Sequence, residues 1–371
     1  MYGALPLRTY IPMLAIAEDD VIVIDESLIH SWHPESHFTT KEFDKIYQEN
    51  KLDKHYLFTI LWETGYGKNK VKDFVFFIYG IIKDYEIPST HWAIIVSGES
   101  RCFLRDKEYP GVFYIEFFAH LTHYHTEISY QDHWNKKWDS DSKKALFLTG
   151  KPHKRNRIGL LAEFYRRDLL DRLEWSFFMS NSMKDRCREI VGAREFSDSE
   201  YEEFLKKCNR NPDDIKPGWQ DGSLHYGGFP YDVNLYTKTK LSIISETNWR
   251  HDIRITEKTW RTIANNHPFL MAGSPYTLNR LEKLGFHTFK KYFPVSNYNE
   301  LPISARGLGS MKSNQIRVNA LIENTEYFLD HDFDLEEEIT ENRNRYLDLI
   351  KEDRETIFRI LDDRFNLIKL P

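Results

Sequence analysis

Short runs of β-branched and aliphatic residues, set apart by helix-length stretches, constrain the fold of this chain more than any other feature. The run at 20–25 (DVIVID) scarcely alternates between apolar and polar, and 91–97 (HWAIIVS) and 111–118 (GVFYIEFF) repeat the pattern. A strand that is apolar on both faces belongs in a parallel sheet covered by helices. Parallel neighbours need long crossover connections, usually helical, and the intervals here can hold them. The first 135 residues therefore read as a βαβ domain.

A polar stretch at 134–144 (WNKKWDSDSKK) interrupts the pattern and reads as a linker, bounded at 136–144. The alternation then returns over 145–330. A strand is expected at 145–149 (ALFLT), a basic loop at 150–156, and a helix at 157–170 with Ile158, Leu161 and Phe164 or Tyr165 on one face. Further strands are expected at 240–245 (KLSIIS) and 267–272, each followed by a helix, at 256–265 and 274–284. The last of these has Ser274 as N-cap, Pro275 at its first position and Gly285 just past its end. Residues 331–371 form a charged C-terminal segment, with helices expected at 335–351 and 352–365. Ile339, Tyr346, Leu349, Ile357, Ile360 and Leu361 give it an apolar stripe that should pack. The fold class is α/β, with two Rossmann-like domains and a C-terminal helical segment. At about 150 residues per domain, a chain of this length agrees.

Lysine and arginine number 51 against 57 aspartate and glutamate, a net charge of −6. Bulk charge of that sign does not hold a polyanion, so any phosphate or nucleic-acid site must be local. Cys102, Cys187 and Cys208 are an odd, widely spaced set without CxxC spacing. That usage points to a reducing compartment and argues against thiolate-bound zinc. Residues 1–17 lack the apolar core of a signal peptide, and no run approaches about 18 apolar residues. The expectation is a cytoplasmic protein with no membrane partner and an oligomeric state left open.

Two segments distant in sequence carry the chemistry. In 148–157 (LTGKPHKRNR) a strand feeds a loop with Lys151, Lys154, Arg155 and Arg157 at a helix N-terminus. Free backbone N–H groups and cationic side chains converge there, which makes an anion cradle. The second segment is Ser245-Glu246-Thr247 with Arg254-Ile255-Thr256-Glu257-Lys258-Thr259-Trp260. Thr256 can cap a helix whose first turn holds Glu257 and Lys258. A carboxylate in that place can bind ribose hydroxyls while the ammonium beside it meets a phosphate.

Together these residues resemble the donor half of a GT-B glycosyltransferase, most closely the α-1,3-fucosyltransferases. That family's C-terminal domain has a strand and a loop ending in Arg-Asn, and later a block of the form F-E-N-x(n)-Y-I-T-E-K-L. The matching elements here are Arg155-Asn156, Ser245-Glu246-Thr247 and residues 254–260, and 268–273 (PFLMAG) stands where the family has P-V-V-L-G. The likeness spans 145–285. It is shared with uncharacterised glycosyltransferase-like phage proteins, in which a basic strand-loop-helix precedes an S/T-E-K-T-W/F helix. The resemblance implies that Arg155 and Lys258 bind the donor diphosphate, Glu257 the ribose, and Glu246 the sugar or the floor of the pocket. Asn156, Arg157 and Thr256 complete the donor set. Phe-Glu-Asn has become Ser245-Glu246-Thr247 and nothing in the N-terminal domain matches, so the sugar and the acceptor do not carry over.

Transfer to a hydroxyl needs a base that takes its proton as it attacks the anomeric carbon, and a carboxylate beyond a strand's C-terminal end suits that task. Glu99, in Ser97-Gly98-Glu99-Ser100, fits best and resembles a Gly-Glu-Asn turn of the fucosyltransferases; Asp25, Glu26 and Glu63 are alternatives. His30, His33 and His37, and His120, His123 and His125, have spacings that can bind metal but read as interface or acceptor-cleft residues. Asp139-Ser140-Asp141 has the Asp-x-Asp form that holds a divalent metal in GT-A enzymes. It lies between lysine pairs in the linker and reads as solvated charge. No metal site is expected, and no cofactor beyond a nucleotide-diphosphate sugar as co-substrate. Cationic side chains and the helix N-terminus are left to stabilise the leaving diphosphate.

The expected activity is metal-independent sugar transfer, and the resemblance implies inversion by direct displacement. The acceptor hydroxyl is open: a glycan, a protein side chain or, through the phage likeness, a modified base in DNA. One rival is a non-catalytic nucleotide-binding or structural protein with a degenerate GT-B fold, which would bind donor without turning it over. Another, a nucleotide-sugar hydrolase or phosphotransferase, needs a water-activating group that the sequence does not offer.

Overall fold

The computed structural model describes residues 20–25, 41–60, 68–97, 109–116, 119, 140–149, 155–177, 199, 203–204, 206, 234–246, 253, 255–301 and 311–365. The chain is α/β, with two parallel sheets and flanking helices. It divides into two compact units, Met1–Tyr124 with Leu347–Pro371, and His125–Tyr346.

In the first unit the order is β1 (Val21–Asp25), α1 (Lys41–Asn50), β2 (His55–Ile60), α2 (Lys68–Asp84), β3 (Trp92–Ser97) and β4 (Val112–Ile115). The strands pair in parallel in the order β1-β2-β3-β4. β2 and both helices fill intervals that the sequence reading left unassigned. Phe74, Ile78, Ile81 and Ile82 recur at helical spacing on α2 and are buried with Phe43 of α1 against Tyr56, Phe58 and Ile94. α2 ends where Glu86 takes a left-handed φ of 51°, with Ile87 N donating back to Ile82 O and Glu86 N to Lys83 O. This closure normally recruits glycine.

In the second unit the order is β5 (Ala145–Thr149), α3 (Arg155–Arg166), β6 (Leu173–Phe177), the short α4 (Asn234–Thr237), β7 (Leu241–Ser245), α5 (Glu257–Ala264), β8 (Phe269–Ala272), α6 (Thr277–Lys283) and α7 (Met311–Asp330). α8 (Glu336–Arg359) starts here and ends in the first unit. All four strands are parallel, in the order β6-β5-β7-β8. Phe147 meets Phe164 of α3 at 6.3 Å between ring centroids, and α7 packs against α3, β7 and β8. On the other face of the sheet lies α5, whose fully buried Trp260 meets Phe286 and Tyr346 at 5.5 and 6.1 Å.

Two local expectations are corrected. α6 begins at Thr277 with Tyr276 as its N-cap, not at Ser274. The carbonyl of Ser274 accepts from Thr277 N, Thr277 Oγ1 and Asn299 Nδ2, so the chain completes a turn before the helix starts. The C-terminal tail is one helix, α8, running into a π turn at Ile360–Arg364, rather than two. Its last residues pack on the first unit. Asp353 Oδ2 accepts from Glu116 N at 2.8 Å, Arg364 donates to Ser89 O at 2.9 Å and covers the Trp92 and Phe113 rings, and Phe365 stacks on His55.

His267 contributes to the acid lability of the second unit. It is buried, with Nδ1 at 2.7 Å from Ser242 Oγ and Nε2 at 2.7 Å from Thr239 O. Burial outweighs the backbone hydrogen bonds and lowers its pKa from 6.5 to about 4. The unfolded chain thus binds the extra proton between those values, so stability falls as pH drops from 6.5 towards 4. The expected loss is roughly 3 kcal/mol, measurable as a falling thermal midpoint that His267→Gln flattens.

Candidate functional site

Along β7 successive side chains alternate between faces. Ser242, Ile244 and Glu246 point to the α5 side, and Leu241, Ile243 and Ser245 to the α3 and α7 side. The ladder continues one residue past β7, because Glu246 N donates to Ala272 O at 2.9 Å. Glu246 therefore has a fixed backbone at the carboxyl edge of the sheet.

Its carboxylate, 0% exposed, organises the start of α5. Oε1 accepts from Thr256 N at 3.0 Å and Thr259 Oγ1 at 2.6 Å, and Oε2 accepts from Thr256 Oγ1 at 2.5 Å. Burial pushes this carboxyl above its usual range, against the opposing charge of Lys258 and the threonine hydrogen bonds. Thr256 is the N-cap, as the sequence predicts, with extended φ and ψ and its Oγ1 accepting from Lys258 N.

Lys258 Nζ lies 3.2 Å from Thr256 Oγ1 and 2.5 Å from Glu257 Oε1. An ammonium has three N–H donors, so one remains beyond these two partners among the described residues. The side chains of Lys258 and Glu257 are 24% and 17% exposed, reachable yet largely desolvated, where a charge-assisted hydrogen bond is strong. Burial pushes the Glu257 carboxyl up, but the charge and hydrogen bond of Lys258, with Arg261 behind, hold it at about 2. It is an acceptor at any physiological pH.

The chain leaves the central strand β5 for β6 on one side and returns to β7 on the other. The carboxyl ends of β5 and β7 therefore flank a topological switch point, the usual ligand crevice of an open α/β sheet. α3 follows β5 and α5 follows β7, so the starts of both helices belong to this edge. The starts of α3 and α5 thus follow adjacent parallel strands at one edge of the sheet. Arg155 and Asn156 open α3, and their side chains lie outside the described set. Arg157 is 2% exposed, a buried cation in the first turn of α3.

Sequence reasoning gave no role to three further residues at this edge. Ser245 Oγ is buried and has no hydrogen-bond partner among the described residues. Arg317 of α7 donates to Gly273 O at 2.5 Å and to Asn299 Oδ1 at 2.8 Å, tying down the exit of β8. Tyr276 holds a left-handed φ of 67°.

Glu99, Glu26 and Glu63, the two histidine sets, Asp139, the loop at 150–154, Arg254 and the three cysteines lie outside the described residues. Asp25 closes β1, with its side chain outside the described set, and Asp141 is exposed. Among the described residues no three His, Cys, Asp or Glu side chains group as metal ligands, and no helix is long and apolar enough to cross a membrane. No family model, curated protein or solved structure matches this chain.

Proposed function

We propose that the protein is a glycosyltransferase of the two-domain GT-B type, whose second unit binds a nucleotide-diphosphate sugar at the carboxyl edge of β5 and β7. One observation carries this reading: the basic start of α3 and the Thr256-Glu257-Lys258 start of α5 follow neighbouring parallel strands across the switch point. Both helices begin at that edge, so the positive ends of their dipoles face outward from it. Beyond its partners among the described residues Lys258 has a donor for the diphosphate, and Glu257 is ionised and can accept from ribose hydroxyls.

In the proposed reaction the acceptor oxygen attacks the anomeric carbon as a base takes its proton. The bond from that carbon to the β-phosphate oxygen breaks, and the electron pair leaves with the diphosphate. Lys258, Arg155 and the helix N-termini stabilise the growing charge. For the base we propose Glu99, with Asp25, Glu26 and Glu63 as the alternatives. The buried Glu246 serves as the floor that fixes the α5 start, because its carboxylate accepts from Thr256 and Thr259.

Titration calorimetry with UDP, GDP and other nucleoside diphosphates tests the donor site. At least one should bind with micromolar to submicromolar affinity, and no binding across the panel would sink the reading. Labelled donor with separate pools of hydroxymethylated DNA, oligosaccharide and protein then identifies the acceptor.

A further inference from the structure

We infer that Tyr276 is the platform on which the base of the nucleoside diphosphate stacks, an inference that rests on reading this sheet edge as a donor site. The chain leaves β8 beside the candidate site: a Cβ placed on Gly273 would lie 3.6 Å from Glu246 Cβ. From there it rises through the buried Ser274 and the half-buried Pro275 to Tyr276, then turns into α6. Tyr276 is 56% exposed, whereas the residues that set its turn are buried. Arg317 Nη2 donates to Gly273 O at 2.5 Å, while Thr277 Oγ1 and Asn299 Nδ2 donate to Ser274 O at 2.8 and 3.1 Å. Arg317, Asn299, Ser274 and Thr277 are each at most 1% exposed.

This buried network holds a tyrosine in a backbone region that favours glycine. Glycine would relieve the strain at this position, and a ring that is 56% exposed adds little to the core. A strained, over-determined conformation that carries an exposed ring, three residues beyond the Gly273 that adjoins Glu246, fits a binding role. Every nucleobase has a π face, and stacking on an aromatic side chain needs no hydrogen-bond match. Phosphates seated at Lys258 would leave the base free to reach along the same edge.

The test is calorimetry with the nucleoside diphosphate that the wild-type protein binds best, on Tyr276→Ala, Tyr276→Phe and Tyr276→Gly, with thermal melting of each. Alanine should weaken binding about 10- to 100-fold, the effect of losing one base–aromatic stack, and phenylalanine should stay within about twofold. Glycine should raise the thermal midpoint yet weaken binding, a divergence that a merely structural tyrosine cannot give. If alanine binds as wild type while Lys258→Ala does not bind, the stacking role is overturned and the donor site stands. If phenylalanine is as weak as alanine, the ring is not the platform. Failure of the wild type to bind any nucleoside diphosphate removes both.

Discussion

Replacing Lys258 with alanine is expected to weaken nucleoside-diphosphate binding by a factor of about 30 to 1,000. Truncating one member of a desolvated, hydrogen-bonded charge pair costs about 2–4 kcal/mol, and each 1.4 kcal/mol is about a tenfold change. Lys258 meets these conditions: its ammonium is held by Glu257 and Thr256 at the start of α5 and is mostly desolvated. The fold should survive, because the cap at Thr256 and its bonds to Glu246 do not need the lysine side chain. Arginine should restore only part of the affinity, since its planar fork does not reproduce a compact ammonium. Calorimetry on the three proteins checks the series, and undiminished binding in Lys258→Ala would move the diphosphate elsewhere.

Glu246→Ala should be the most disruptive change at the site for stability. It leaves the N–H of Thr256 and the hydroxyls of Thr256 and Thr259 without their buried acceptor, at a cost of about 3 kcal/mol. Against a total stability of about 5–15 kcal/mol, that lowers the thermal midpoint by several degrees, and the loosened α5 start should bind nucleotide poorly. Glu246→Gln should cost less, because its oxygen still accepts from Thr256 N and Thr259 Oγ1. The pH dependence separates the two forms further. Burial raises the folded carboxyl above its unfolded value, so its stabilising contribution is complete in acid and is lost as pH rises through the folded value. Glu246→Gln removes that slope, which opposes the acid lability to which His267 contributes.

Much of the fold is legible in the sequence where strands are apolar on both faces. β1, β3, β5, β7 and β8 stand where such runs occur, and Thr256 caps α5 because a threonine before Glu-Lys matches what free helix N–H groups require. β2 escapes because its apolar run is short and lies between Lys54-His55 and Thr59. β6 (LEWSF) alternates, as an edge strand does when one side is partly solvated, and its half-buried Glu174 pairs with Lys144. The part played by Glu246 is not legible. Its bonds reach Thr256 across a ten-residue interval, and no local pattern says whether a carboxylate after a strand turns to solvent, to a sugar or back to the next helix. The left-handed turn at Tyr276 is hidden for a similar reason. The sequence offers Ser274 and Pro275 as an ordinary helix start, whereas the Ser274 carbonyl is taken by Thr277 and Asn299 and the Gly273 carbonyl by Arg317.

The most direct measurement is a crystal structure with a nucleoside β-thiodiphosphate bound, in which anomalous scattering locates the terminal sulfur. The sulfur should lie within hydrogen-bonding reach of Lys258 Nζ, at the carboxyl edge between the starts of α3 and α5. A sulfur bound at any other part of the molecule, or an edge left empty at saturating ligand, contradicts the account.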